Sequence, residues 1–542
     1  MSRVPPVKVL AATACLLLLS FVFIVFGHLR PETASAEPLP ADTPNNKVPA
    51  AQTAPVPPPG SVVYVTQKGD SMPTILRHYW RESMFMTHAE METAIRQVNH
   101  DLKGNFFKPG MQIIIPGMNG PIVEKSIPVK RDYEVRAVYL TGIMAGSARG
   151  LEIMRQWRAS GGNAVVFDIK DSDGILRVPF QNEVMSSDKS VSIPNLPKLV
   201  RFIHGLGMHA IGRIAIFRDE RLVTVHPELA VRSRKTGQPW KENGKLVWTD
   251  PSNPKVEAYN LALAKYAADS GLDEIQFDYV RFPAEGDQKD AQFYFEGLTS
   301  APPRDDIVIP PSERPAAAVV KTAAAKTAAK SGKTAAAKPE HRRLDGTELT
   351  ADEMPKGWQR SDVIANFLRH AYETIHPTGA LFSLDVFGVM AWQRQVDLSH
   401  TGQDIVRMAR HCDVLSPMIY PSHFFGMDGY TDPGDAPEHF ISESMDRFRK
   451  ITEGSGVVLR PWLQAFAWRT KTYSPEYIQT QVAVARAHGG IGFLFWNARN
   501  DYSKPFAAMP AMRKDPAKFF RGDELPKSVA QGGPAPAAVT NP

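Results

Sequence analysis

The sequence predicts an α/β chain: a (β/α)8 barrel preceded by a small βααβ module, with intervening stretches that cannot build a core. Three observations predict it. From Arg136 onward, eight short apolar runs rich in β-branched and aromatic residues alternate with amphipathic helical patterns, the order of parallel βα units. A compact stretch from Val62 to Gly117 opens and closes on apolar strands around two helical patterns. The intervals outside these two regions carry Pro, Ala, Thr and Lys with no apolar period.

The eight runs are Ala137 to Gly142, Ala164 to Lys170, Ala210 to Phe217, Glu274 to Val280, Leu381 to Gly388, Val414 to Tyr420, Leu459 to Phe466 and Gly492 to Asn497. Helical patterns such as Leu151 to Ser160, Pro197 to Leu206, Pro254 to Ser270, Ser361 to His376 and Pro475 to His488 lie between them. Eight repeats favour a closed barrel, spanning 130–520, over an open sheet. No G-x-G-x-x-G opens any helix, which disfavours a dinucleotide-binding sheet. The interval 287–355 contains KTAAAKTAAKSGKTAAAKP and reads as a disordered insertion in the loop after the fourth strand. A Pro/Ala-rich tail, 522–542, reads the same way.

At the other end, Arg3 and Lys8 precede an apolar run from Val9 to Phe26, about the length that crosses a bilayer. Residues 1–30 are therefore read as an export signal retained as a membrane anchor, although Ala34-Ser35-Ala36 offers a cleavage site that would release the chain. Residues 31–60 form a Pro/Ala-rich spacer, and 61–118 the module. The expected location is the cell envelope, with the bulk of the chain outside the cytoplasm.

Charge excludes one class of partner. The net charge is +6, but Arg314 to Arg343 alone holds eight basic residues against Glu340. The remainder is near neutral, so no basic face for nucleic acid is expected. Cys15 and Cys412 are too differently placed for a bridge. There is no H-E-x-x-H, Cys cluster, P-loop or G-x-S-x-G, so no metal or cofactor is expected. His204, His209, His370 and His376 read as solvated.

In a (β/α)8 barrel the reacting groups lie at the carboxyl ends of the strands. The fourth run reads DEIQFDYVRFP, where alternation sets Gln276 and Asp278 on one face and Ile275, Phe277 and Tyr279 on the other. The fifth run sets Ser383 and Asp385 on its polar face. Neighbouring parallel strands lie about 4.8 Å apart, so carboxylates at these two ends can flank one bond. Glycoside hydrolysis needs such a pair, one supporting an oxocarbenium-like transition state and one protonating the leaving oxygen. Asp278 is the candidate nucleophile or base and Asp385 the candidate acid, with the reverse assignment open. The alternative for either Asp is a loop tie or a salt bridge to Arg281. Asp168, ending the second run, is a candidate sugar ligand or a partner of Lys170. Arg281 is a further candidate contact. Tyr420, Trp462, Trp468 and Trp496 offer flat faces for sugar rings, and His423, Gln464 and Asn497 offer polar groups for hydroxyls.

The combination DEIQFDYVRFP, SLDVFG, SPMIYPSHF, RPWLQAF and GFLFWNA resembles a bacterial family of glycosyl hydrolases of unassigned specificity, over roughly Arg136 to Tyr502. The resemblance implies kinship with barrels of the α-amylase and related clans. By it Asp278 takes the nucleophile position and Asp385 the acid position, where those clans usually carry Glu. The module resembles a LysM domain in Val63-Tyr64-Val65, Gly69-Asp70-Ser71, Asn99, Pro109-Gly110 and Ile113-Ile114-Ile115-Pro116. It departs from that pattern at Met72-Pro73 and in its longer helical stretch. These resemblances imply a hydrolase of envelope or extracellular polysaccharide, or of peptidoglycan glycan, attached to the wall by the module. The competing expectation is a non-catalytic polysaccharide-binding or envelope scaffold that keeps the barrel alone.

Overall fold

The computed structural model describes residues 57–118, 130–300, 302, 357–392 and 395–521. The expected anchor, most of the spacer, the Ala/Lys tract and the tail lie outside the described residues. Among the described residues no helix is long and apolar enough to cross a membrane.

Eight parallel strands close into a barrel in chain order: Val135–Leu140, Ala164–Lys170, His209–Ala215, Glu274–Asp278, Leu381–Phe387, Val414–Ile419, a seventh in two pieces (Val458–Leu459 and Trp462–Gln464), and Gly492–Trp496. The eighth pairs with the first and the fifth with the sixth, so the barrel has no edge. The sixth strand pairs with both pieces of the seventh, bridging the break at Arg460-Pro461. Helices begin where a polar cap meets Pro: Asn195 accepts from Lys198 N–H, Asn253 from Lys255 N–H, and Ser474 from Tyr477 N–H.

Alternation along the strands divides the core in two. Val138, Phe167, Ile214, Phe277, Leu384, Leu415, Leu463 and Phe495 face the helices in the larger apolar cluster. Val135, Ala137, Tyr139, Ala164, Val166, Ile211, Trp462 and Leu494 form a second, inside the barrel. Polar residues complete that interior. Glu274 binds Arg460 NH1 through both oxygens (2.9 and 2.8 Å) and His209 Nε2 at 3.1 Å, all fully buried. His204 pairs with Asp273 at 2.8 Å. His204 and His209 are thus buried hydrogen-bond partners of carboxyl groups, contrary to the solvated reading, because the turn between them leads straight into the third strand.

The expected insertion starts later than residue 287. Ala291–Gln292 pairs with Arg232–Ser233, and Phe293 and Phe295 are buried against Phe282.

The module folds as βααβ: Val62–Val65 pairs antiparallel with Gln112–Ile115 around helices Met72–Tyr79 and His88–Val98. Met72, Ile75, Met91, Ile95, Ile113 and Ile115 fill its core. The Asn99 amide donates to the carbonyls of Ile95 and Ile114 and accepts from Ile114 N–H, sewing a helix end to a strand. The module rests on the barrel wall. Glu90 meets Arg155 at 2.9 Å, and Lys198 Nζ lies over the Trp80 ring while donating to the Trp80 carbonyl at 2.7 Å.

Candidate active site

The site is organised by Arg213, an inward residue in the middle of the third strand. Its NH2 and Nε donate to Asp278 Oδ2 at 2.6 and 3.2 Å. Its NH1 donates to Asp168 Oδ1 at 2.6 Å and Asp171 Oδ1 at 3.2 Å. Asp385 Oδ2 lies 3.9 Å from Nε. Four carboxyl groups from around the second, fourth and fifth strands thus converge on one guanidinium. Because Asp278 Oδ2 and Asp385 Oδ2 lie 3.2 and 3.9 Å from the same Nε, they are at most about 7 Å apart.

The two central carboxyls have different surroundings. Asp278 Oδ1 accepts the Tyr279 N–H at 2.6 Å, a contact formed because Tyr279 turns out of the strand with φ +53°. That left-handed backbone is costly for an aromatic residue and ends the alternation expected through Tyr279. Asp385 is 1 % exposed; its Oδ1 accepts the Trp462 indole N–H at 2.7 Å, while Oδ2 has no hydrogen-bond partner among the described residues. Burial, then the charge of Asp278, push the Asp385 carboxyl well above the ordinary carboxylate range despite Arg213. A carboxyl that holds its proton more tightly than usual, with one oxygen uncommitted, has the chemistry of a candidate proton donor.

Asp168 is buried, and its Oδ2 accepts from Tyr139 Oη at 2.6 Å. Burial pushes it up to about 6 against the pull of Arg213. It does not pair with Lys170. A register shift between the two turns Lys170 outward to Asp219, 2.6 Å away, so residues two apart no longer share a face. Arg281 does not bridge Asp278 either; its guanidinium lies 4.6 Å from both the Trp248 and Phe387 ring centroids.

Three of the expected sugar contacts are buried and already hydrogen-bonded within the protein. Trp462 is buried and directs its N–H at Asp385. The fully buried Gln464 accepts from Ser422 N–H and donates to Phe466 O and Thr470 Oγ1. Asn497 donates to Ala465 O and accepts from Arg499 N–H. Polar residues at strand ends here satisfy turning backbone. Tyr420 and Trp496 do come together at the mouth, ring centroids 5.7 Å apart, with Tyr139 stacked 6.5 Å from Trp496. Exposed Trp468 and His423 pack at the rim, 5.0 Å apart. Arg213 and Tyr139 were not singled out from sequence. Their signal was inward parity, an Arg at the third position of Ile211-Gly212-Arg213 in an apolar strand. Among the described residues no group of three or more His, Cys, Asp or Glu is arranged to hold a metal ion.

Residues 137–502, more than half of the chain, match the family model described as "Putative glycosyl hydrolase domain". The chain belongs to this family. Membership makes the barrel a carbohydrate-acting hydrolase domain of the glycoside hydrolase class. No curated protein matches the chain. Among solved structures, a hypothetical protein from Ruminiclostridium thermocellum is 26% identical, covering 46% of this chain and 97% of that one at a TM-score of 0.31. The PgaB (BpsB) glycoside hydrolase domain from Bordetella bronchiseptica is 14% identical, covering 72% and 99% at 0.46. The spore cortex-lytic enzyme SleL from Bacillus megaterium is 11% identical, covering 85% and 86% at 0.36. Likenesses at these scores fix no residue's role.

Proposed function

We propose that the chain hydrolyses the glycosidic bonds of a cell-envelope or extracellular polysaccharide, with Asp385 as the general acid and Asp278 as the nucleophile or base. The observation that carries the reading is the opposite setting of two adjacent carboxyls. Asp278 is held by guanidinium and backbone N–H donors, as suits a group that must present lone pairs. Asp385 is buried beside that charge, as suits a group that must keep its proton.

In the reaction the Asp385 proton passes to the leaving glycosidic oxygen as its bond to the anomeric carbon breaks. Either Asp278 attacks that carbon and water later displaces it, or Asp278 takes a proton from water as the water attacks. Arg213 orients Asp278 in both cases. The rings of Tyr420 and Trp496 offer the sugar an apolar wall. The LysM-like module, fixed to the barrel wall, would hold the enzyme on glycan, and the N-terminal apolar run would hold the chain at the membrane.

Release of reducing ends from a panel of wall and capsular polysaccharides by the purified full chain tests this. Loss of release in both Asp278→Asn and Asp385→Asn, with folding intact, is expected. A second reading, a non-catalytic glycan-binding barrel, is favoured by one observation: Asp278 and Asp168 both stand in ion pairs with Arg213. Glycan binding without turnover, undiminished in Asp278→Asn, would establish it.

A further inference from the structure

Two rims of the barrel mouth carry arginines with no carboxylate partner among the described residues. On one side, Arg218 follows the third strand and Arg281 the fourth. Both flank the Tyr279 ring, their guanidinium carbons 5.4 and 5.8 Å from its centroid. Arg218 NH1 donates to Tyr279 Oη at 3.3 Å, and its Nε is buried with no hydrogen-bond partner. Arg281 NH1 donates to its neighbour's carbonyl, Phe282 O, at 3.1 Å. The carboxylate whose charge reaches Arg281 besides Asp278 is Glu242, which already accepts the Trp248 indole N–H at 2.7 Å. Two like charges therefore face one aromatic ring beside Asp278, and burial first, with the charge of Arg218 a smaller contribution, presses the Arg281 guanidinium below its ordinary range. On the opposite side, exposed Arg469 lies 4.9 Å from the ring of Trp468 and 4.3 Å from that of Phe425, with a left-handed backbone of φ +50°. Its charge reaches His423, which packs against Tyr420.

Cations fixed on aromatic faces are preorganised, and a guanidinium fork matches a carboxylate or an ester oxyanion in two hydrogen bonds. Cations on both sides of an acidic catalytic centre also offset the repulsion that the centre would exert on a charged sugar. We infer that the substrate is an acidic polysaccharide whose anionic groups, uronic carboxylates or phosphate or sulfate esters, are received by Arg218 and Arg281 on one rim and by Arg469 on the other. The inference rests on the hydrolase reading for its location but not for its binding readout.

The test uses the purified full chain in two assays. Binding is read by affinity electrophoresis through polygalacturonate, its carboxyl-reduced neutral counterpart, and dextran sulfate against dextran. Reducing-end release is read on the same polymers. Expected is retardation by an anionic polymer but not by its neutral partner, weakening steeply with salt. Polygalacturonate and dextran sulfate separate carboxylate from ester recognition. Arg281→Gln and Arg469→Gln should each weaken binding tenfold or more and flatten the salt dependence, while Arg281→Lys and Arg469→Lys recover part of it. Exposed Arg469 keeps the test usable if Arg281→Gln fails to fold. Equal retardation by neutral and anionic partners, no retardation by either anionic polymer, or salt dependence unchanged in the Arg469→Gln chain would overturn the inference. Retardation by anionic polymers with no release would leave it standing and count against the hydrolase reading. Release from neutral polymers alone would do the reverse.

Discussion

The barrel interior holds two buried charge clusters a few residues apart on the same strands, and they are built on opposite principles. At the floor, Glu274 meets Arg460 and His209, with one formal acid to one guanidinium. At the mouth, Arg213 faces Asp168, Asp171, Asp278 and Asp385. Burial acts on Glu274 and Asp385 alike, yet the outcomes diverge. Arg460 and His209 outweigh burial and bring Glu274 down to about 2, whereas burial and the charge of Asp278 hold Asp385 well above its ordinary range. Matched charges make a brace; a surplus of acids makes a proton store.

The largest expected effect breaks the mouth. Asp385→Asn and Asp278→Asn should each lower kcat by about 10²- to 10⁴-fold, the range of general acid–base catalysis, with unchanged circular dichroism. In the wild type the alkaline fall of kcat should lie well above the ordinary carboxylate range, since the proposed reaction needs the Asp385 proton. An alkaline limb near pH 4 would remove Asp385 from the acid role.

Next in size is the floor. Glu274→Gln leaves Arg460 buried without its counter-charge and should cost about 3–5 kcal/mol in denaturant unfolding. The sign follows from the lowered pKa: the contribution is complete above the unfolded value near 4.5 and is lost as pH falls through about 2. Acid unfolding of the wild type should therefore extend into that window, and that of the variant should not.

A smaller effect of the opposite sign sharpens the contrast. The raised pKa of Asp385 means that its burial works against folding at every pH above the unfolded carboxylate range. Asp385→Asn should therefore melt at or above the wild-type temperature at pH 7. A clear fall would mean that Asp385 is a brace like Glu274. The smallest effect belongs to the module's docking surface, where Arg155 and Glu90 are 40 and 39% exposed. Arg155→Gln should change stability by no more than about 1 kcal/mol, because water and salt already screen that pair.

Much of this was legible from the residues. Alternation through Gln276, Asp278, Ser383 and Asp385 assigned the inward faces, and all eight strands lie where the apolar runs stand. What sequence hid was long-range pairing. Arg213 sits mid-strand among Ile, Gly and Ala, and only closure of the barrel shows that three strands aim acids at it. The turn of Lys170 away from Asp168 depends on a register shift that no local pattern marks. Gln464 and Asn497 resemble sugar ligands in sequence, because an amide that stitches a turn and one that binds a hydroxyl are the same residue at the same strand end.

Tyr279 carries a consequence of its own. Its left-handed backbone costs about 1–3 kcal/mol for a non-glycine residue, and it aims an amide at the carboxyl that precedes it. Glycine there would relieve the strain and remove the ring between Arg218 and Arg281. Selection for heat tolerance alone would thus be drawn to this position, and would loosen the two guanidinium groups that the ring holds apart.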